Sequence, residues 1–144
     1  MKRLLLSLGL ALLCSACGEE RSPAESSPDL VRPEAEVTQM RLVAGRWKSQ
    51  PGVLPGQDRR HVIMDIANDG SVSMELRERG PKMDIVLAES RGQVDLSDGA
   101  ISGSLEDAGR ELRYFRSFTA DMPEGGVIML KGNGAGIEMA YAGQ

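Results

Sequence analysis

Few side chains in this sequence could carry chemistry. His61 is the single histidine, and the two cysteines are Cys14 and Cys17. Catalysis by a histidine-containing triad would therefore depend on His61. It begins a strand-like stretch beside Arg59 and Arg60, and the chain contains no G-x-S-x-G motif. We therefore expect His61 to lie on the surface at the end of a strand, and we predict no catalytic residues.

The carboxylates and a glycine-rich stretch offer three further kinds of site. A glycosidase pair or a hard-cation site would need converging acids, but Glu75 and Glu138 alternate with apolar residues as solvent-facing strand residues do. No EF-hand spacing is present. The stretch 131–136, KGNGAG, would suit a phosphate only if a helix followed, and a strand-like pattern follows instead. The sequence thus predicts no metal and no cofactor.

Both cysteines lie at the end of an N-terminal export signal. Lys2 and Arg3 form a positive n-region, and the apolar stretch 4–13 is about ten residues long, short of the roughly 20 that span a bilayer. Two small residues then precede Cys17. This arrangement resembles the lipobox of bacterial lipoproteins, and we expect residues 1–16 to be the signal peptide.

The lipobox resemblance has consequences for the fate of the protein. It implies that the thiol of Cys17 is acylated, with palmitate among the chains, and becomes the mature N-terminus. Because Gly18 follows, and not the Asp that resembles an inner-membrane retention signal, we expect an outer-membrane anchor facing the periplasm of a Gram-negative bacterium. Cys14 departs from the family, which usually has an aliphatic residue there. The alternative is ordinary cleavage after Ala16, which would leave a soluble protein.

Composition separates a linker from a folded domain. Residues 17–38 are rich in Pro, Ser and Glu without apolar periodicity, so we predict a disordered tether. The whole chain has a formal net charge of −4, and no basic stripe with interleaved aromatic residues is present. We therefore exclude nucleic acid as a partner.

Residues 39–144 show short alternating segments separated by turn residues, typical of antiparallel strands. Asn68–Gly70 and Asp98-Gly99 are hairpin signals. We count about nine strands and no helical period. The sequence predicts one all-β domain, a small antiparallel up-and-down barrel of about eight or nine strands, with a two-sheet β-sandwich as the alternative. The predicted strands are 41–49, 61–67, 71–78, 82–89, 93–97, 100–106, 111–118, 126–132 and 136–142.

The first strand contains Gly45-Arg46-Trp47, followed by a long loop, residues 50–58. This pattern resembles the lipocalin-like barrels. The resemblance implies that Trp47 plugs one end of the barrel, that a late-strand arginine, Arg113 or Arg116, stacks on its face, and that the loop covers the open mouth. The alternative is that Trp47 is simply the largest core residue. Both interpretations place Trp47 in the interior, and they differ on whether a cavity lies above it.

Two speculative sites follow from these patterns. If residues 112–118 alternate as a strand, Arg116 points inward and needs an anion or an aromatic partner, so Trp47 and Arg116 form a candidate ligand site. Val53 and Leu54, between two Pro-Gly pairs, either insert into a partner's cleft or fold back and seal the barrel. Several methionines are expected at inward positions, as core or pocket lining: Met64, Met74, Met83, Met129 and Met139.

These observations favour binding over catalysis. In one hypothesis the domain recognises an envelope protein, as an assembly component or a hydrolase inhibitor, through loops 50–58 and 120–126. In the other it holds a small apolar or amphipathic ligand above Trp47, with Arg116 at the polar head.

Overall fold

The computed structural model describes residues 34–54 and 56–143, in which eight antiparallel strands form a closed barrel. Each strand pairs with the next along the chain, and the last strand returns to the first. The predicted up-and-down barrel is therefore confirmed, and the alternative sandwich was wrong. The strands are β1 Gly45–Ser49, β2 Arg60–Ile66, β3 Ser71–Glu78, β4 Ile85–Ser97, β5 Ala100–Leu105, β6 Ser117–Asp121, β7 Val127–Gly132 and β8 Ala135–Gly143.

Period-two patterning sets which side chains enter the barrel. In β3, Val72, Met74 and Leu76 are buried, while the residues between them are partly exposed. Every strand contributes inward apolar side chains to one continuous core. Burying such alternating faces is the main force that fixes strand register, because a slip by one residue would turn each apolar side chain to solvent.

The two predicted hairpin turns are confirmed. Asn68–Gly70 lies between β2 and β3, and Asp98-Gly99 joins β4 to β5. Asp98 and Gly99 have φ angles of 52° and 75°. A two-residue hairpin turn whose twist matches the right-handed twist of its strands requires positive φ at both residues. Asp-Gly suits this position for that reason.

Strand β4 is longer than the sequence indicated. The predicted strands 82–89 and 93–97 form one strand, Ile85–Ser97, so the barrel has eight strands and not nine. A β-bulge interrupts its pairing with β3: Leu76 pairs with Ala88, whereas Arg77 pairs with Val86. Leu87 is thus an extra residue that bends the strand and shifts its inward and outward alternation.

The connection between β5 and β6 corrects another predicted strand. Within residues 111–118, Arg113–Phe115 forms a 3₁₀ helix, and β6 begins only at Ser117. The 3₁₀ helix buries Phe115 in the core, together with the preceding Leu112. A salt bridge of 3.4 Å from Arg60 Nη1 to Glu111 Oε2 ties this connection to β2.

A helix, α1 (Glu34–Val43), precedes β1 and corrects the predicted tether, which extended to residue 38. Acidic residues in its first turn and Arg41 in its last turn complement the helix dipole. Met40 and Val43 are fully buried in the barrel core. The folded unit therefore begins earlier than the predicted boundary at residue 39, because the helix that these two side chains attach to the core extends back to Glu34.

The two ends of the barrel are covered by different elements. Helix α1 leads directly into the start of β1, and its buried side chains cover that end. At the opposite end, where β1 stops and β2 begins, the connection carries the buried Leu54. The 3₁₀ helix lies between β5 and β6 at this same end of the up-and-down meander.

Candidate functional site

Trp47 lies inside the barrel, as both sequence interpretations required, with 1% of its surface exposed. Its indole Nε1 donates a hydrogen bond of 2.8 Å to the carbonyl oxygen of Val43, so the helix end and the first strand are joined through this side chain. The ring of Tyr141 meets it edge-on, with centroids 5.2 Å apart and planes at 70°. This is the favourable T-shaped arrangement of two aromatic rings.

Core side chains occupy the space around Trp47. Met64, Met74 and Met139 point inward as predicted and are fully buried. Helix α1 adds Met40 and Val43 from the barrel end. The interior beside Trp47 is thus packed with flexible methionines, which adapt their shape to fill irregular space. This arrangement matches the interpretation of Trp47 as a core residue.

Arg116 does not join Trp47, and the prediction that it points inward was wrong. It follows the 3₁₀ helix and is exposed, because that helix breaks the alternation on which the prediction relied. Arg113 does not stack on Trp47 either; its guanidinium carbon lies 5.0 Å from the centroid of the Tyr114 ring. Both arginines line an open surface hollow of about 380 Å³ with Ser117 and Asn133.

Val53 and Leu54 have folded back onto the barrel. Leu54 is 2% exposed and belongs to the core, while Val53 is partly buried and packs against it. In this conformation the pair is not available to insert into a partner's cleft, which was one of the two predictions. The other prediction, that the loop seals the barrel end, is the one that the structure bears out.

The expectation that His61 lies on the surface was wrong, because only 1% of its surface is exposed. Its Nε2 lies 3.3 Å from Asp84 Oδ2 without hydrogen-bond geometry, and neither ring nitrogen has a hydrogen-bond partner among the described residues. Burial lowers the pKa of His61, and Lys48, Arg77 and Arg79 lower it further, while Asp84 opposes them. These surroundings therefore favour the neutral imidazole over the charged one.

Outward-facing apolar residues on β7 were missed by the sequence analysis. Val127 and Met129 are exposed, and Ile128 and Leu130 take the inward positions instead, so the prediction that Met129 points inward was wrong. The run Val-Ile-Met-Leu is apolar throughout, so alternation alone fits either face. We call Val127, Met129 and the adjacent Met122 the β7 surface; they line a shallow hollow of about 300 Å³.

A second exposed apolar group lies at the start of β4. Met83 is 74% exposed, and Ile85, Val86 and Leu87 are also exposed. We call these four residues the β4 apolar segment. The prediction that Met83 points inward was wrong because Met83 lies in the turn before the strand, where period-two alternation does not apply.

The outer face of β1 to β4 carries compensated charges. Arg46 makes two hydrogen bonds to the carboxylate of Asp65, of 2.9 and 3.1 Å, across the β1–β2 pair. Arg91 lies 3.3 Å from Glu89. Both pairs line a hollow of about 600 Å³ on the outside of the barrel. Because the charges are already paired at the surface, the hollow presents no uniform potential to a charged ligand.

The predicted signal peptide, Cys17 and most of the predicted tether lie outside the described residues. Within the described ranges, no three His, Cys, Asp or Glu side chains converge as metal ligands would. No helix in this part of the chain has the length and apolarity to cross a membrane.

Comparisons with protein-family models, with curated proteins and with solved structures gave no match to this chain.

Proposed function

We propose that this chain is a non-enzymatic lipoprotein of a Gram-negative bacterium that binds another envelope protein. Cys17 carries the lipid in the outer membrane, and the barrel faces the periplasm. The partner is an assembly component or a hydrolase that the barrel inhibits. The observation that carries the proposal is the division of apolar side chains: one set fills the barrel, and another remains on its outer surface.

The packed interior favours a protein partner over the alternative, a lipocalin-like carrier of a small apolar ligand. Such a carrier holds its ligand inside, and sites of this kind usually enclose about 300–1,000 Å³. Here the inward side chains of all eight strands meet in one core, which α1 covers at one end. Arg116, which was predicted to bind the polar head of a ligand, is exposed on the outside of the barrel and does not reach its interior.

The β7 surface is the contact region that we favour. It continues from the predicted contact loop 120–126, in which Gly125 and Gly126 adopt positive φ angles and form a tight turn. Exposed apolar side chains beside such a loop are typical of protein interaction sites. The other predicted contact loop, 50–58, is less suited because Leu54 is committed to the core.

Site-specific photocrosslinking in living cells tests the contact. A photoreactive residue at Met129 of the full-length chain should give one discrete crosslinked species, whose second component mass spectrometry identifies. A probe at Ser102, which is exposed on β5, is the control. Val127→Asp should abolish the species without changing the amount of the protein, whereas Ser102→Asp should leave it in place.

Two results would contradict this proposal. One is the same crosslinking pattern at Met129 and Ser102, which would indicate random collision. The other is a stoichiometric lipid-sized mass that remains on the gently purified protein in native mass spectrometry and is displaced when Trp47 is replaced by a smaller residue. That result would favour the carrier.

Anchoring is tested separately with Cys17→Ser. Without the thiol no thioether to lipid forms, and a single non-acylated segment has little affinity for a bilayer. We expect the parent chain in the membrane fraction and the variant released or unprocessed. Cys14→Leu is the control, since it removes the other thiol but keeps an apolar residue at the lipobox position, and it should fractionate with the parent. Equal membrane association of the Cys17 variant, with residues 1–16 removed as in the parent, would rule out acylation at this position.

A further inference from the structure

A hollow lined only by hydrogen-bond donors lies on the outside of the barrel, beside the connection between β5 and β6. Four side chains line it: Arg113, Arg116, Ser117 and Asn133. Both arginines keep their positive charge at any physiological pH, and no carboxylate is among the four. The hollow measures about 380 Å³, at the lower end of the range for small-molecule sites. Its chemistry therefore suits a small anion.

The two arginines of this hollow are not neutralised by neighbouring acids. Elsewhere on the barrel, arginines of β1 to β4 form salt bridges with carboxylates. Within the described part of the chain, neither Arg113 nor Arg116 takes part in one. Glu111, the nearest acid to Arg113 in the sequence, lies 3.4 Å from Arg60 Nη1 and does not line the hollow. Two positive charges thus remain available in a chain whose formal net charge is −4.

The backbone around the hollow is held in place by β5 and by the turn between β7 and β8. The Leu105 nitrogen donates to the Arg116 carbonyl oxygen at 2.9 Å. The Asn133 nitrogen donates to the Tyr114 carbonyl oxygen at 2.6 Å. A Cβ on Gly132 would overlap that same oxygen, so glycine is what allows the turn to approach the 3₁₀ helix so closely. These contacts place Asn133 beside the arginines before any ligand binds, which lowers the entropic cost of binding.

Tyr114 orients the first of the two guanidinium groups. Arg113 Nη2 donates a hydrogen bond of 3.1 Å to the Tyr114 hydroxyl, and the guanidinium carbon lies 5.0 Å from the centroid of the Tyr114 ring. A guanidinium has further N–H donors that this contact leaves unused. Because the group is already oriented, it loses less side-chain freedom when it binds an anion.

A phosphate group matches these donors better than a carboxylate does. Two guanidinium groups carry two positive charges, and a phosphate monoester carries about −1.5 to −2 at neutral pH, whereas a carboxylate carries a single negative charge. The oxygens of a phosphate can accept hydrogen bonds from both guanidinium forks and from the Ser117 hydroxyl or the Asn133 amide. Because the hollow is open to solvent, a group attached to the phosphate can extend outwards.

We propose that Arg113 and Arg116, with Ser117 and Asn133, bind a phosphate group, either as inorganic phosphate or as the terminal phosphate of a larger molecule. The site goes beyond the proposed function, because it takes a small anion and needs no protein partner. It also lies away from the β7 surface: Asn133 follows the end of β7, whereas Val127 begins that strand.

Titration of the full-length chain, purified in a non-ionic detergent, tests the site. Isothermal titration calorimetry measures the binding of three probes, which are sodium phosphate, glycerol 3-phosphate and sodium acetate. We expect saturable binding of one phosphate group per chain, and binding of acetate that is weaker by about tenfold or more. In NMR spectra, phosphate should shift the amide signals of Ser117 and Asn133 and leave that of Met129 unchanged.

Substitutions in the connection separate a site from general charge. Arg116→Gln should weaken phosphate binding by about tenfold or more, because a charge-assisted hydrogen bond is lost. Arg113→Gln should have a similar effect, and Arg116→Lys an intermediate one, because lysine keeps the charge but lacks the planar fork. Arg110→Gln is the matched control. It changes an exposed arginine of the same connection that does not line the hollow, so its binding should equal that of the parent.

Three results would overturn the proposal. Absence of saturable phosphate binding would exclude the site. Acetate that binds as tightly as phosphate would exclude selectivity for a phosphate group. Equal losses in Arg110→Gln and Arg116→Gln would show that only overall charge attracts the anion.

The two phosphate probes distinguish the source of the ligand. Tighter binding of inorganic phosphate supports the free ion, and equal or tighter binding of glycerol 3-phosphate supports the terminal phosphate of a larger molecule. These titrations do not involve the β7 surface. Loss of the crosslink at Met129 would therefore contradict the proposed function and leave the phosphate site in place, and the reverse also holds.

Discussion

Trp47 and His61 are both almost completely buried, but only Trp47 has a hydrogen-bond partner for its polar atom among the described residues. The Trp47 Nε1 donates to the Val43 carbonyl at 2.8 Å, so its one polar group is satisfied inside the core. The His61 nitrogens lack hydrogen-bond partners among the described residues. A buried polar group without a partner is costly, and protonation would make it more so. We therefore expect substitutions at the two positions to change the stability of the fold in different ways.

Trp47→Phe should destabilise the fold by about 1–3 kcal/mol. The substitution keeps an aromatic ring but removes the donor and leaves the Val43 carbonyl without its partner. Urea unfolding followed by far-UV circular dichroism measures the change. Tyr141→Phe is the control, because it retains the edge-on ring contact at an exposed position, and we expect a change within about 0.5 kcal/mol. Equal effects of the two variants would contradict a structural role for the indole donor.

The lowered pKa of His61 predicts loss of stability in acid. The unfolded chain binds a proton at His61 near pH 6.5, while the folded chain binds it only at lower pH. The contribution is therefore fully present above about pH 6.5 and decreases as the pH falls towards the folded pKa. His61→Phe removes this titration, so its unfolding free energy should fall less than that of the parent between about pH 7.5 and 5. Parallel decreases in urea unfolding experiments would contradict the assignment.

At the scale of elements, the connection 50–59 acts as part of the core and not as a free loop. Leu54 reaches the barrel interior, and the Gly52 nitrogen donates to the Arg60 carbonyl oxygen at 3.0 Å, which holds the base of the loop closed. The Ser49 hydroxyl accepts a further hydrogen bond from the Val62 nitrogen at 2.9 Å. Leu54 and these two hydrogen bonds therefore close this end of the barrel.

Leu54→Ala should lower the unfolding free energy by about 2–5 kcal/mol, as expected when a buried leucine is removed from a packed site. Leu42→Ala, the same change at an exposed position on α1, should alter it by about 0.5 kcal/mol or less. Chemical denaturation of both variants checks the difference. If Leu54→Ala were as mild as Leu42→Ala, the loop would not be part of the core.

Sequence patterns predicted the elements whose alternation is unambiguous and failed where it is not. Residues 71–78 alternate strictly between apolar and polar, so both the strand and its buried face were predictable. Residues 127–130 are all apolar, so nothing in the pattern distinguished Ile128 from Met129 as the inward residue. Residues 112–118 alternate by coincidence, and the 3₁₀ turn that carries Arg116 outward depends on tertiary contacts of Phe115.

At the scale of the whole molecule, the barrel depends on one pairing between sequence-distant strands. The other seven pairings join strands that follow one another along the chain, whereas β1 and β8 meet only because the sheet closes on itself. Ala140 sits in the middle of this seam, paired with Lys48 on one side and Val127 on the other. Closure removes the two sheet edges that an open sheet would expose.

Ala140→Pro should open this seam. Proline cannot donate to a ladder and is tolerated mainly on edge strands, so we expect a loss of about 2 kcal/mol or more. Amide hydrogen exchange should increase first in β1 and β8. Ala140→Ser, at the same exposed position, should remain within about 0.5 kcal/mol of the parent. Uniform protection of both strands in the proline variant would show that closure does not depend on this pairing.

The burial of Met40 and Val43 has a mechanical consequence. Any pull exerted on the protein through residues before Glu34 enters the barrel along α1, before it reaches a strand. These two side chains and the bond from the Trp47 indole to the Val43 carbonyl would be loaded first. The helix would then peel from the end of the barrel while the strand ladders stayed intact, so that a pull from the N-terminal side would be absorbed without unfolding the sheet.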